Sequence, residues 1–220
     1  SETDFVAKNE QFLGLLDTIQ AALLANKPAD LDATNAIVTE NGTIADLIVS
    51  ATATIGEKIS LRRVKVVEKT DDQFFGAYMH NGGKISALVV LGGKEDATVA
   101  KNIAMQIASM KPEYVSQKDI PAAIVEAEKE LQMRMMEQDP KLAGKPEKVL
   151  AGILQGKVSK HFQDVCLMDQ EYFLGDKQKV SQFLKEVQAN VVSFTRYETG
   201  EGIEKRVDNF AEEVMAQIKG

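Results

Sequence analysis

Three segments rich in Val, Ile, Phe and Tyr occupy residues 59–68, 73–80 and 85–91, with Asp71-Asp72 and Asn81-Gly82-Gly83 at the two joins. Strand-forming residues between tight turn signals predict an antiparallel meander, because parallel strands need a long crossover. Such a sheet must cover its apolar face. The chain supplies the cover at once: Gly92-Gly93 closes the third segment, and Val99, Ile103, Ala104 and Ile107 recur at helical spacing before Pro112.

The flanking segments read mostly as helices. Counting ~100° per residue from Phe5, the side chains of Phe12, Leu16, Ile19 and Leu23 share a face, with Val6, Leu13 and Leu24 beside it. That predicts a first helix over residues 4–25, with Thr3 or Ser1 as cap, Asp4 at its positive end and Asn26-Lys27-Pro28 as its stop. Residues 31–38 are ambiguous. Thr43 caps a second helix to about Ile55, and Gly56 ends it. Beyond Ile120-Pro121, a charged helix over 122–138, a polar turn and a helix over 147–162 opening after Pro146 predict an antiparallel helical hairpin. Core-like sequence returns with Tyr172-Phe173-Leu174, a helix over 177–189 and a strand over 191–198; a last helix over 203–218 carries Phe210, Val214 and Ile218. This order loosely repeats the opening, aromatic entry, helix and Arg-bearing strand, as two related halves would.

A chain of 220 residues can bury one large core or two intimate ones. Its net charge of −7 argues for a protein partner rather than nucleic acid, since phosphate binding needs clustered Lys and Arg. The longest apolar run, residues 87–91, is far below the about 20 residues of a spanning helix, so no membrane contact is expected. The single cysteine, Cys166, and the absence of a signal-peptide pattern fit the cytoplasm. A start at Ser1, inside a motif, suggests sequence upstream.

Sites for chemistry are sparse. Gly93-Lys94 and Gly83-Lys84 lack the first glycine and the hydroxyl residue of a phosphate loop, and Gly200-Glu201-Gly202 lacks the third glycine of a dinucleotide turn. With only His80 and His161, neither at metal-ligand spacing, no metal and no cofactor are expected. Cys166 and His161 remain formally open as a nucleophilic pair, against a reading of Cys166 as a small buried apolar residue. Met133, Met135 and Met136 fit packing within the hairpin better than a promiscuous binding face.

The wording of the opening, Thr3-Asp4-Phe5-Val6-Ala7-Lys8-Asn9, resembles the signature segment of the bacterial elongation factor Ts family. Further resemblances follow in order at residues 55–63 (Ile55-Gly56-Glu57 through Arg62-Arg63), at Tyr78-Met79-His80, at Ile103-Ala104-Met105 with Lys111-Pro112, and at residues 200–205. The resemblance implies an α+β fold of two related subdomains with antiparallel sheets covered by helices, plus a projecting antiparallel helical hairpin. The corresponding segments are 1–118 for the amino-terminal half of the core, 119–165 for the hairpin, 166–202 for the carboxy-terminal half and 203–220 for the C-terminal helix. The small ubiquitin-associated-like module usual at the start of that family is expected to be lacking.

The resemblance further implies a guanine nucleotide exchange factor that is not an enzyme and that promotes GDP release from elongation factor Tu. Thr3, Asp4, Phe5 and Val6 would approach the partner's magnesium site, and His80 would make a secondary contact. Two readings of Phe5 stand side by side: first core residue of the opening helix, or wedge offered to a partner. A non-catalytic scaffold with an incomplete exchange surface is the alternative function, and whether the hairpin pairs two copies stays open.

Overall fold

The computed structural model describes residues 1–203, and the segment expected as a final helix, with Phe210, Val214 and Ile218, lies outside the described residues. The fold is α+β and divides into two compact units, one formed by Ser1–Glu68 and the other beginning at Lys69. That division falls inside the segment assigned from sequence to the first half of the core.

The first unit contains α1 (Glu10–Asn26), α2 (Leu31–Asn35), a two-stranded antiparallel ribbon of β1 (Val38–Thr39) and β2 (Gly42–Thr43), and α3 (Ile44–Ile55). Asn9, not Thr3, caps α1: its Oδ1 accepts from the Gln11 and Phe12 amides at 2.8 and 3.3 Å. Helix α3 opens on a reciprocal capping box, with the Asp46 amide donating to Thr43 Oγ1 at 3.1 Å and the Thr43 amide to Asp46 Oδ2 at 2.9 Å. The Thr43 hydroxyl and amide hold the Asp46 carboxyl below its ordinary range. Leu15 and Ile19 of α1 pack with Ile44 and Ile59 into the core of this unit.

Residues 59–68, expected as a strand, form none. Ile59 instead closes onto α3, its amide donating to Thr52 Oγ1 at 3.2 Å, while its side chain is buried among Leu15, Ile19 and Ile44. Strand propensity reports fit to a half-buried surface and does not itself supply a pairing edge.

In the second unit, β3 (Gln73–His80), β4 (Ile85–Gly93) and β5 (Ala189–Glu198) form one antiparallel sheet with β4 in the centre. Phe74 lies opposite Leu91, and Val89 opposite Phe194. The expected meander is therefore realised in its last two strands, and the third strand, Ala189–Glu198 from far along the chain, joins the other edge of β4 and not the edge of β3 where residues 59–68 were expected. Helix α4 (Ala97–Met110) covers the sheet, burying Val99, Ile103, Ala104 and Ile107 against Phe74, Ala87, Val89 and Leu91. Gly76 permits the close approach: a Cβ there would collide with the Ala100 backbone carbonyl. From β5, Arg196 Nε and Nη2 each donate to the Ala108 carbonyl at 3.2 Å, satisfying an acceptor in the last turn of α4 where a cation is favoured. Arg196 Nη1 also lies 2.9 Å from Glu198 Oε2, and the guanidinium holds that carboxyl below its usual range.

The hairpin is formed by α5 (Ala122–Glu137) and α6 (Glu147–Gln163), with bounds close to those read from sequence. Its base has a small core of Ile120, Val158, Phe162 and Cys166. A short helix α7 (Val180–Glu186) then leads into β5 and adds Val180 and Leu184 to the sheet core.

Two buried glutamines tie α4 to the chain that returns from the hairpin. Gln106 donates to Gln170 Oε1 at 3.2 Å and to the Glu171 carbonyl at 3.0 Å, and accepts from the Phe173 amide at 2.9 Å. Gln170 donates in turn to the Met110 and Asp164 carbonyls at 3.1 and 2.7 Å. Removing one member of a fully satisfied buried network strands its partners. Gln106→Leu is accordingly expected to destabilise the protein by about 2–4 kcal/mol, given roughly 1–3 kcal/mol per orphaned group, as a lower urea midpoint by circular dichroism.

Candidate partner-binding site

The opening segment is a separate turn ahead of α1. Residues Val6–Lys8 make one turn of 3₁₀ helix, in which the Lys8 amide donates to the Phe5 carbonyl at 3.1 Å and the Asn9 amide to the Val6 carbonyl at 2.9 Å. Asn9 then turns extended, with ψ 133°, and α1 starts afresh at Glu10. The single helix expected over 4–25 is thus broken at Asn9, whose capping side chain competes with helical continuation. Phe5 consequently does not continue the stripe of α1. It is 88 % exposed, while its neighbour Val6 is 7 % exposed. The core residue of the segment is Val6, and Phe5 points the other way.

The turn is held by Glu57, 54 residues away from Thr3. Its Oε1 accepts from the Thr3 hydroxyl at 2.5 Å, and its Oε2 accepts from the Thr3 and Glu2 amides at 3.1 and 3.2 Å. The Thr3 hydroxyl oxygen also accepts from the Val6 amide at 3.4 Å. Glu57 is aimed by the end of α3, where Gly56 adopts φ 80° as the left-handed cap. The Thr3 hydroxyl, followed by the backbone amides, holds the Glu57 carboxyl below its ordinary range. Two sequence segments that each looked like a signature are here parts of one bonded structure. Glu57 was missed as a site residue because nothing in a linear pattern pairs it with Thr3.

His80 belongs to the other unit. It ends β3, exposed, before the tight turn Asn81–Gly83, and its Nδ1 lies 3.1 Å from the Tyr78 hydroxyl on the same face of the strand. Tyr78, the second residue that sequence reasoning left out, fixes the ring of His80. Met79, alternating to the opposite face, is 74 % exposed.

The other chemistry considered from sequence finds no support. Cys166 is completely buried, and burial, with Asp169 and Asp119 adding, pushes its thiol up to about 11. His161 directs Nδ1 to Glu128 at 3.4 Å. A neutral, enclosed thiol is no nucleophile. A cavity of ~480 Å³ opens between α5 and α6, but its walls are mainly apolar, among them Met133, Met136, Leu142 and Leu150. Among the described residues no cluster of three His, Cys, Asp or Glu could hold a metal ion, and no helix is long and apolar enough to cross a membrane.

Fold and site together describe an α+β protein whose most exposed large apolar side chain, among the described residues, stands on a turn held by a distant carboxylate. A family model described as Elongation factor TS matches residues 2–201. The chain is 46 % identical over 221 aligned positions to Elongation factor Ts of Lacticaseibacillus casei strain BL23, covering all of this chain and 74 % of that protein. Elongation factor Ts of Lacticaseibacillus paracasei, strain ATCC 334, matches to the same extent. The chain belongs to the elongation factor Ts family of translation elongation factors.

Because the folded Glu57 carboxyl titrates below its ordinary value of 4.5, its hold on the turn is complete above that pH and is lost as pH falls through the lower folded value. Two-dimensional NMR is expected to show the Thr3 amide and the Glu57 side chain titrating together with a midpoint below 4.5. A midpoint at or above 4.5 would show that the bond is not made in solution.

Proposed function

We propose that this chain is a guanine nucleotide exchange factor that binds elongation factor Tu in its GDP form and promotes GDP release during translation elongation. The observation that carries the reading is the outward placement of Phe5, beside buried Val6, in the segment that resembles the family's exchange motif. Thr3, Asp4, Phe5 and Val6 are the partner-binding group. Phe5 is the wedge, Val6 roots it, Thr3 ties it down, and Asp4 lies at the start of the turn. His80, aimed by Tyr78, is the secondary contact.

No bond is made or broken in this chain under that reading. The factor must bind more tightly to a partner whose magnesium and phosphate contacts are poor, and by linkage factor and nucleotide then weaken each other equally. Burying one phenylalanine contributes roughly 1.5–3 kcal/mol, about one to two decades in an equilibrium constant. Phe5 therefore acts together with further surfaces, His80 among them.

Phe5→Ala is expected to keep the wild-type thermal transition and to lower stimulated GDP release by about ten- to a hundredfold, read by stopped flow with labelled GDP. Unchanged stimulation by a variant that still binds would overturn the wedge. His80→Ala is expected to reduce stimulation by only a few fold, in keeping with one exposed polar contact of about 1 kcal/mol.

The scaffold reading draws on the exposed Ile124, Leu131, Met133, Met135 and Val149 of the hairpin. It requires binding to elongation factor Tu without faster GDP release, so the same assay separates the two, and light scattering reports whether the hairpin pairs two copies.

A further inference from the structure

Glu57 has no place in the exchange motif, yet its carboxylate receives three hydrogen bonds from the segment that carries it. All three donors precede Asp4 and Phe5. On its other side the turn is fastened by Val6, which is buried, and by Asn9, whose amide bonds to the Val6 carbonyl at 2.9 Å and whose side chain caps α1. Phe5 thus stands between two fixed points. Without the first, the amino-terminal side of the turn would lose three hydrogen bonds, and short terminal segments weakened in that way fray.

A side chain 88 % exposed gains nothing from its own fold by being held outward. Holding it there removes conformations that would otherwise have to be surrendered on docking. We propose that Glu57 is the positioning residue of the exchange turn, fixing Thr3 so that Phe5 is presented in its docking geometry before the partner arrives. The inference rests on the exchange reading above. Its signature is specific: if only a fraction of molecules has the turn formed, the apparent affinity falls by that fraction while the docked complex is unchanged.

The test has two arms. In the isolated chain, backbone NMR relaxation is expected to show residues 2–5 disordered in Glu57→Ala and loosened in Thr3→Val, but ordered in Thr3→Ser, which retains the hydroxyl donor. The thermal transition should stay at its wild-type position in all three. This arm needs no partner, so it stands or falls independently of the exchange function. In the second arm, stimulated GDP release from elongation factor Tu is measured against factor concentration. Glu57→Ala is expected to raise the half-saturating concentration by about three- to tenfold and to keep the plateau rate, since losing one clamp lowers the competent fraction and leaves the docked state alone. The double variant Glu57→Ala/Thr3→Val should be no worse than Glu57→Ala alone, because the hydroxyl bond lost in Thr3→Val is one of the three that Glu57→Ala removes.

Wild-type order of residues 2–5 in Glu57→Ala and Thr3→Val would overturn the proposal, as would a fall in plateau rate at unchanged half-saturation. Absence of stimulation by the wild-type chain, with the relaxation result as expected, would instead remove the exchange reading and leave the clamp standing.

Discussion

The distance between α4 and the sheet is the constraint on which the second unit depends. Gly76 brings β3 so close to α4 that the Ala100 carbonyl occupies the space of a Cβ. At that separation Val89, Leu91, Ile103 and Ile107 are wholly enclosed, and each fully buried aliphatic side chain contributes about 1.5–3 kcal/mol. Close packing also fixes where the last turn of α4 lies, and its carbonyls find partners from the protein. Arg196 answers the Ala108 carbonyl, and Gln170 answers the Met110 carbonyl. The chain that enters and leaves the hairpin is anchored through these same residues, since Gln170 also accepts from Gln106 and donates to the Asp164 carbonyl at the end of α6.

The first unit solves a different problem, which is to hold a short turn still with few contacts. Val6 supplies a buried root, but one apolar side chain fixes position and not direction. Direction comes from hydrogen bonds, which are angular, and Glu57 receives three of them on two oxygens. A carboxylate suits the task because an ionised acceptor makes shorter and stronger bonds than a neutral one. Glu57 is half-buried, its three bonds outweigh the desolvation that opposes its charge, and the hold stays sensitive to acid.

Much of this was legible in the sequence wherever one short stretch carries both the pattern and the turn that bounds it. The hairpin α5–α6, the Thr43 cap, the Gly56 stop and the strands around Asn81-Gly82-Gly83 all belong to that kind. The misses are long-range. Residues 59–68 have strand composition but leave the outer edge of β3 unpaired, and the third strand, β5, joins the opposite edge of β4 from far further along the chain. The opening helix was extended through Asn9 because Phe5 fits its period, although Asn is a better cap than an interior residue. Thr3 to Val6 were picked out by their wording. Glu57 and Tyr78 stand inside segments that resemble the family, but their contacts with Thr3 and His80 could not be read there, because a supporting residue is defined by whom it touches.

The same distinction bears on how a docking turn is tuned. A wedge of one phenylalanine has at most about 3 kcal/mol to give, and disorder in the turn subtracts from it directly. Ordering a single residue costs about 1–2 kcal/mol of backbone entropy, so freedom equivalent to about one residue in the turn already takes away a sizeable part of Phe5's contribution. Rigidity of residues 2–5 is therefore comparable in weight to the aromatic itself. Under the exchange reading, the second signature segment supplies that rigidity from the end of α3. The exposed tip and its distant acid are then one functional unit, although only the tip would meet the partner.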